Sequence, residues 1–452
     1  MPYTSTLLSD LLQRLQDRLD SKAIFFTNDQ LSAYPEIQLY LKESIRFWNC
    51  LATKYRERFV FETVAGQAFY NLHAPLNNLN PANLVAQTVT TQDLIAEMQF
   101  HLMEPLSPSV WTGTDMFTLE QVVNALQKRR DQFLVETGVE QEFDAGVFTV
   151  LGGGRFEFPE GVMDIRRLEW VDLDGIRTHL WQSDEWSRDS LDVEWASNPE
   201  PTPQQFSIIL TNPLRIQLMP APNLPGTMER LVTKSGVTLD AVTNPLIGVP
   251  DDWAWAVKWG AMADLLGIEN QARDAARAEY CESRYRMGVE LCMKAPIVLR
   301  ASINNLQAPL VSIEELDTQA PGWTNIPGPP DTIGVSEYML AMSPVPDGVY
   351  SITLDVLRTA PFPALITDLV QVGLEEQDAI LDYAHHIGTF KEGGAEFKAT
   401  QRNLKNVVQQ ATVFNERLSA MAFYRELMEE RSRREGQRRA RREPVEQIVE
   451  LE

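Results

Sequence analysis

Cysteine is scarce. The chain has three (Cys50, Cys281, Cys292), with no CxxC pair and no Cys/His cluster at zinc spacing. That excludes a disulfide framework and predicts reduced thiols packed in the core of a cytosol-made chain. Histidine is limited to five residues, and no run of eighteen apolar residues occurs. The opening MPYTSTLLSDLLQRLQ lacks both a basic n-region and a continuous apolar h-region. The expectation is a chain with neither a membrane span nor a secretion signal. GxSxG, HExxH and the Rossmann glycine pattern are all absent. Acid–base chemistry would therefore fall on 63 carboxylates, too many to single out a pair. No enzyme, no cofactor and no metal centre is expected.

What is present is ample apolar material, 44% hydrophobic residues and ten tryptophans, over 452 residues. A chain of this length exceeds one ordinary core, so more than one folding unit is expected. The net charge of −23 argues against free binding to nucleic acid or an anionic membrane. It is unevenly spread. Residues 431–452 hold seven of the 40 basic residues and five of the 63 acids, which leaves +2 on the tail and −25 on the body.

The pattern predicts an α+β chain, with helical N-terminal and C-terminal regions, an inserted antiparallel β domain and a long C-terminal helix. Residues 1–140 read as a helical domain with a small hairpin. Leu7, Leu8, Leu11, Leu12, Leu15 and Leu19 form one stripe, and Ile37, Leu41, Ile45, Trp48 and Ala52 form another, opened by Pro35. Thr27-Asn28-Asp29-Gln30, Thr90-x-x-Asp93 and Thr118-x-x-Gln121 read as helix starts, and Gly138 as a C-terminal cap. Arg58–Val64 alternates like a strand and is expected to pair with Phe69–Leu72 across Ala65-Gly66-Gln67.

Residues 141–248 read as the antiparallel β domain, punctuated by Gly152-Gly153-Gly154, a two-residue hairpin turn at Asp174-Gly175, and Asn212-Pro213. Residues 249–304 form a helical pair. Residues 305–360, rich in proline, glycine and aspartate, read as an extended loop or arm with one strand, Tyr350–Arg358. Residues 361–452 form a C-terminal helical arm with a basic tail. VKWGAMADL around Trp259 and LDYAHHIGT around Tyr383 echo each other as apolar helices carrying an aromatic residue followed by small ones.

Three features invite chemistry, and each has a plainer reading. The glycines 152–154 lack the Lys-Ser/Thr of a phosphate loop and run into strand-like Arg155-Phe156-Glu157-Phe158, so they read as a turn. Asp172-Leu173-Asp174-Gly175 lacks the later ligands of a calcium loop. His385-His386 point in different directions on a helix, so they suit a helix surface or subunit contact better than a metal. The tail (RSRREGQRRARRE) has three readings: contact with DNA phosphates, docking on an acidic protein surface, or a solvated helix end. Its candidate partner-binding residues are Arg431, Arg433, Arg434, Arg438, Arg439, Arg441 and Arg442.

Several segments carry a resemblance. The run IQLYLKESIRFWNCLATKYRERFVFET with FYNL, and the block DLIAEMQFHLMEP with WTGTDMFTLEQVVNALQKRRDQFLVETG, resemble virion proteins of tailed phages. DDWAWAVKWGAMADLLG, led in by Gly248-Val249-Pro250, and AILDYAHHIGTFKEGGAEF resemble the helices of phage head–tail adaptor proteins. The resemblance implies a structural neck (connector) subunit in the virion, a homo-oligomeric ring (a dodecamer) between portal protein and tail. The chain would be made in the host cytoplasm and line a channel that packaged DNA slides through without sequence-specific binding. The acidic body suits such a channel, because like charges repel, and suits plain solubility equally. Residues 141–248 and 305–360 exceed the minimal adaptor, and in this reading they face outward toward fibre or tail proteins. Another virion part (tail nozzle, fibre-anchoring collar, capsid-associated protein), a virion-associated enzyme and a transient assembly scaffold are the alternatives.

Overall fold

The computed structural model describes residues 6–19, 26, 35–72, 86–102, 117–149, 154–191, 194, 199–209, 213–269, 273–294 and 297–428. The fold is α+β, as the pattern predicts. Its largest core is helical. Helix α1 (Leu8–Arg18) buries Leu8, Leu11, Leu12 and Leu15, while Leu7 precedes the helix in a short strand paired with Leu369. Helix α2 (Glu36–Ala52) begins after Pro35 and buries the whole predicted stripe. Helix α3 (Thr91–Leu102) is entered through Thr90, whose N–H and hydroxyl both donate to Asp93 at 2.8 Å. Helix α4 (Leu119–Thr137) carries the Thr118–Gln121 capping box and ends at Gly138, which adopts φ +63° where a Cβ would be strained. The Thr27–Gln30 start lies outside the described residues.

Between α4 and the next long helices lies a seven-stranded sheet, interrupted by helix α5 (Glu185–Leu191). Its spatial order is Gln141–Thr149, Thr227–Lys234, Val162–Val171, Arg177–Gln182, Gln205–Ile209, Arg215–Met219, Arg155–Glu157. Every pairing is antiparallel except that of Arg177–Gln182 with Gln205–Ile209. A separate core of Leu168, Trp170, Leu180, Ile216, Leu218, Met228 and Val232 fills it. At Asp174-Gly175 the turn spans three residues rather than two. The Gly175 N–H donates to the Asp172 carbonyl (3.1 Å), the Asp172 N–H donates to Ile176 (3.0 Å), and Gly175 sits at φ +79°.

Helices α6 (Ala254–Gly267) and α7 (Ala275–Lys294) pack along each other as a pair, and α4 rests on α6. Here the structure corrects two expectations. Arg58–Val64 and Phe69–Leu72 do not form a hairpin. Strand Arg56–Glu62 pairs antiparallel with Ser351–Leu357, and Phe69–Asn71 with Met339–Ser343, in two different four-stranded sheets. Gly66 does turn the chain (φ +80°), but it hands the chain from one sheet to the other.

Residues 305–360 are not a loop either. Strands Val298–Ile303 and Leu306–Ala308 join through Asn304 and Asn305, both in the left-handed region. Leu310–Ser312 runs parallel to Thr332–Ser336, and helix α8 (Ile313–Gln319) follows with Ser312 as its cap. A third core of Phe69, Leu231, Ile313, Leu316, Trp323 and Met339 holds these pieces. The prolines, glycines and aspartates mark turns between very short elements. Helices α9 (Leu374–Glu392) and α10 (Gly394–Ala411) follow, separated at Gly393 and Gly394, both with positive φ; after α10 the helical run is broken, and a 3-10 turn at Glu416–Ala420 and a short helical stretch over residues 422–428 end the described region.

Candidate functional site

The most distinctive chemistry lies inside the helical core. Lys258 sits in the largely apolar α6, whose other charged residue is Asp264, and is 1% exposed. Its Nζ pairs with Glu43 of α2 and, at 2.8 Å, with Glu97 of α3. His101 Nε2 lies 3.5 Å from the same ammonium. Burial alone would lower the Lys258 pKa, but Glu43 and Glu97 outweigh it and the net direction is upward. The second oxygen of Glu43 accepts from the Trp259 indole (2.8 Å) and the Tyr383 hydroxyl (3.2 Å). The two echoed segments thus place their aromatic residues, Trp259 and Tyr383, on one carboxylate.

The seam continues on both sides. Lys391 of α9 donates to both oxygens of Glu36 (3.0 and 3.2 Å), and the Tyr40 hydroxyl donates to one of them. Arg284 of α7 is fully buried and bonds the Tyr383 hydroxyl. Its guanidinium lies over the rings of Phe47 (4.4 Å), Trp255 (4.9 Å) and Tyr383 (5.1 Å), so aromatic faces hold the cation. Among the described residues no carboxylate pairs with it.

The entrance to α6 is fixed by two acids. Asp251 accepts from Arg46 (3.0 Å) and from the Thr88 and Val89 N–H groups (2.7 and 3.0 Å). Asp252 accepts from Asn49 (2.6 Å) and the Ala360 N–H (3.1 Å), and burial raises its pKa to about 6.

His386 corrects the surface reading of the histidine pair. It is completely buried, with Nε2 2.8 Å from the Tyr280 hydroxyl and Nδ1 3.0 Å from Thr400 Oγ1. Burial, then Arg284 and His385, push its pKa down to about 3, so it is a neutral core residue. The helix turns His386 toward α7 and α10 because the apolar Tyr383, Ile387 and Phe390 share that inner face. The three cysteines are buried and free, as predicted. Gly154 is a positive-φ turn before strand Arg155–Glu157, while Gly152 and Gly153 lie outside the described residues. So do all seven tail arginines, Arg431 to Arg442.

A second ionic knot joins the seven-stranded sheet to α8. Arg167 donates through two nitrogens to Asp317 (both 2.7 Å) and also to Glu169 (2.9 Å). The Trp323 indole bonds Asp317, and the Thr324 hydroxyl bonds Glu169. A surface depression of about 1000 Å³ opens beside this junction, walled by Ala65–Phe69, Phe143, Gly175–Arg177 and Asn325. The exposed Leu173, Ile176 and Ile326 lie on or next to these wall segments. None of the seam residues lines it. Their carboxylates are paired in the interior, an arrangement that fixes helix register.

Sequence reasoning missed the seam. The usable signal was Lys258 alone inside AWAVKWGAM, a charge where helical spacing demands burial; nothing comparable marks Glu43 or Glu97.

Residues 89–291 match the family model described as SU10 adaptor protein, a little under half of the chain. No curated protein matches the chain. The match supports a phage structural protein of adaptor type, a component of the virion. The matched segment spans α3, α4, the seven-stranded sheet, α6 and α7. Glu43, Glu36, Tyr383 and Lys391 lie outside it, so the seam fastens the matched unit to the rest of the chain.

Proposed function

We propose that the chain is a neck subunit that assembles into a ring between portal and tail and acts by shape and surface rather than catalysis. The observation that carries this reading is the adaptor match over residues 89–291, which runs from just before α3 to the last turn of α7. Around that unit α2 and α9 are held by buried ion pairs, as suits a subunit that bears load without opening.

The body charge of −25 supports a channel that repels DNA phosphates and lets the genome pass. In this reading portal protein binds one end of the ring, and tail or fibre proteins meet the seven-stranded sheet. The tail arginines reach a neighbouring protein or DNA. Among the described residues no helix is long and apolar enough to cross a membrane. The chain's mass in solution, by light scattering with and without portal protein, tests the reading. A ring, or a monomer that becomes one on the portal, supports it; a monomer indifferent to portal refutes it. Truncation after Glu430 that left particle assembly intact would remove the arginines from the interface.

A further inference from the structure

The four-stranded sheet that contains Arg56–Glu62 has two edges, and they differ. One is Leu306–Ala308, three residues long and stopped by Pro309, which blunts it against pairing. The other is the seven-residue strand Arg56–Glu62 itself.

Its hydrogen-bond phase follows from its flanks. The Thr63 N–H donates to the Tyr350 carbonyl (3.0 Å), and the Arg358 N–H donates to the Tyr55 carbonyl (2.9 Å). In an antiparallel ladder the bonded pairs alternate, so Glu57, Phe59 and Phe61 bond inward to Ser351–Leu357. The N–H and C=O groups of Arg56, Arg58 and Val60 therefore point away from the sheet. Among the described residues no backbone pairs with them. Val60 is 44% exposed and the Arg58 side chain 72% exposed. The two faces of the strand are chemically distinct, with Phe59 and Phe61 buried on one and Arg56, Arg58 and Val60 on the other.

We propose that this edge is a strand-addition site for the chain's own last residues, 445–452. Val449-Glu450-Leu451-Glu452 alternates apolar and acidic residues. Laid along the edge, Val449 and Leu451 extend the Phe59/Phe61 face, and Glu450 and Glu452 fall beside Arg56 and Arg58. Pro444 sits just before the segment, where a strand tolerates it. The distance is spannable. Arg56 lines the same groove as Met293 and Asn415–Arg417, and Ala422 and Phe423 are capped by Glu290 on the same helix as Met293. Sixteen residues, 429–444, then bridge to the edge, with a reach of up to roughly 50 Å. The proposal does not depend on ring formation.

Cross-linking in the full-length chain tests it. Arg58→Cys is combined in turn with Glu446→Cys, Glu450→Cys and Glu452→Cys and oxidised; the native thiols are buried. The expected product is an intramolecular disulfide, a band of monomer mass and altered mobility whose yield does not fall on dilution. Adding Val60→Pro removes only an outward N–H, so it abolishes the cross-link and leaves the melting temperature in place. A band of twice the monomer mass shows that the segment comes from a second copy and overturns the intrachain docking. Absence of any cross-link in all three pairs overturns the site itself, whatever the mass of the uncross-linked chain.

Discussion

Replacing Lys258 with methionine removes the cation that pairs with both Glu43 and Glu97 while keeping a similar stem. All three groups are sealed, with side chains 1%, 3% and 11% exposed. Glu43 keeps its bonds from Trp259 and Tyr383 through one oxygen, but the other oxygen and its charge are left without a partner. Stripping one member from a buried ion pair costs about 3–5 kcal/mol. That is a large share of the roughly 5–15 kcal/mol that holds an ordinary domain together. Glu43→Gln is milder, because its amide oxygen still accepts from Trp259 and Tyr383 and Lys258 still has Glu97; about 1–3 kcal/mol is expected. The triple replacement Glu43→Gln, Glu97→Gln, Lys258→Met leaves no buried charge at that point. It should cost less than the three single changes together, by a coupling of about 0.5–3 kcal/mol. Urea unfolding followed by tryptophan fluorescence reads these differences, at a protein concentration where the mass is constant, since assembly itself stabilises. A cost for Lys258→Met within about 0.5 kcal/mol, the range of ordinary surface changes, refutes the seam as a structural lock.

Two buried groups give opposite pH dependences. Asp252 holds its proton up to about pH 6 in the folded chain, and an unfolded aspartate releases it near 3.9. Its contribution, about 3 kcal/mol, is therefore full below pH 4 and fades as pH rises through 6. Asp252→Asn should flatten the fall in melting temperature between pH 4 and pH 6.5. His386 stays neutral down to about pH 3, whereas the unfolded imidazole protonates near 6.5. Its contribution is full above pH 6.5 and shrinks by about 1.4 kcal/mol per pH unit below it, a slope that His386→Gln should remove in the same thermal series. Gly226→Ala would place a Cβ 2.3 Å from the buried Trp170 ring, and a loss of about 1–3 kcal/mol in urea unfolding is expected.

The sequence made local structure readable wherever one residue's geometry decides it. The Thr118–Gln121 box, the left-handed Gly138 and the buried stripe of α2 all follow from short-range rules. Pairing partners did not follow. Phe59 and Phe61 announce a strand, but the strand they pair with lies at Ser351–Leu357, and alternation carries no address for so distant a segment. Residues 305–360 misled for a related reason. Strands of two to five residues fall below any periodic window, and their punctuation of proline and glycine is all that composition displays. Trp323, buried against Phe69 and Ile313, was the contrary sign.

The seam also ties the parts outside the matched segment to it, so that peeling them away should carry a cost. Each outer helix contributes a charge or hydroxyl whose partner sits on another helix: Glu43 of α2 meets Lys258 of α6 across the boundary of the matched segment, and Tyr383 of α9 meets Arg284 of α7 across it. Shifting α9 by one residue along its axis would rotate Tyr383 by about 100°, away from both Glu43 and Arg284. Apolar contacts alone tolerate such slippage, whereas a buried charge that loses its partner does not. Register between the matched unit and its surroundings is therefore specified by few residues, and those residues need not be exposed to shape what the assembled surface presents.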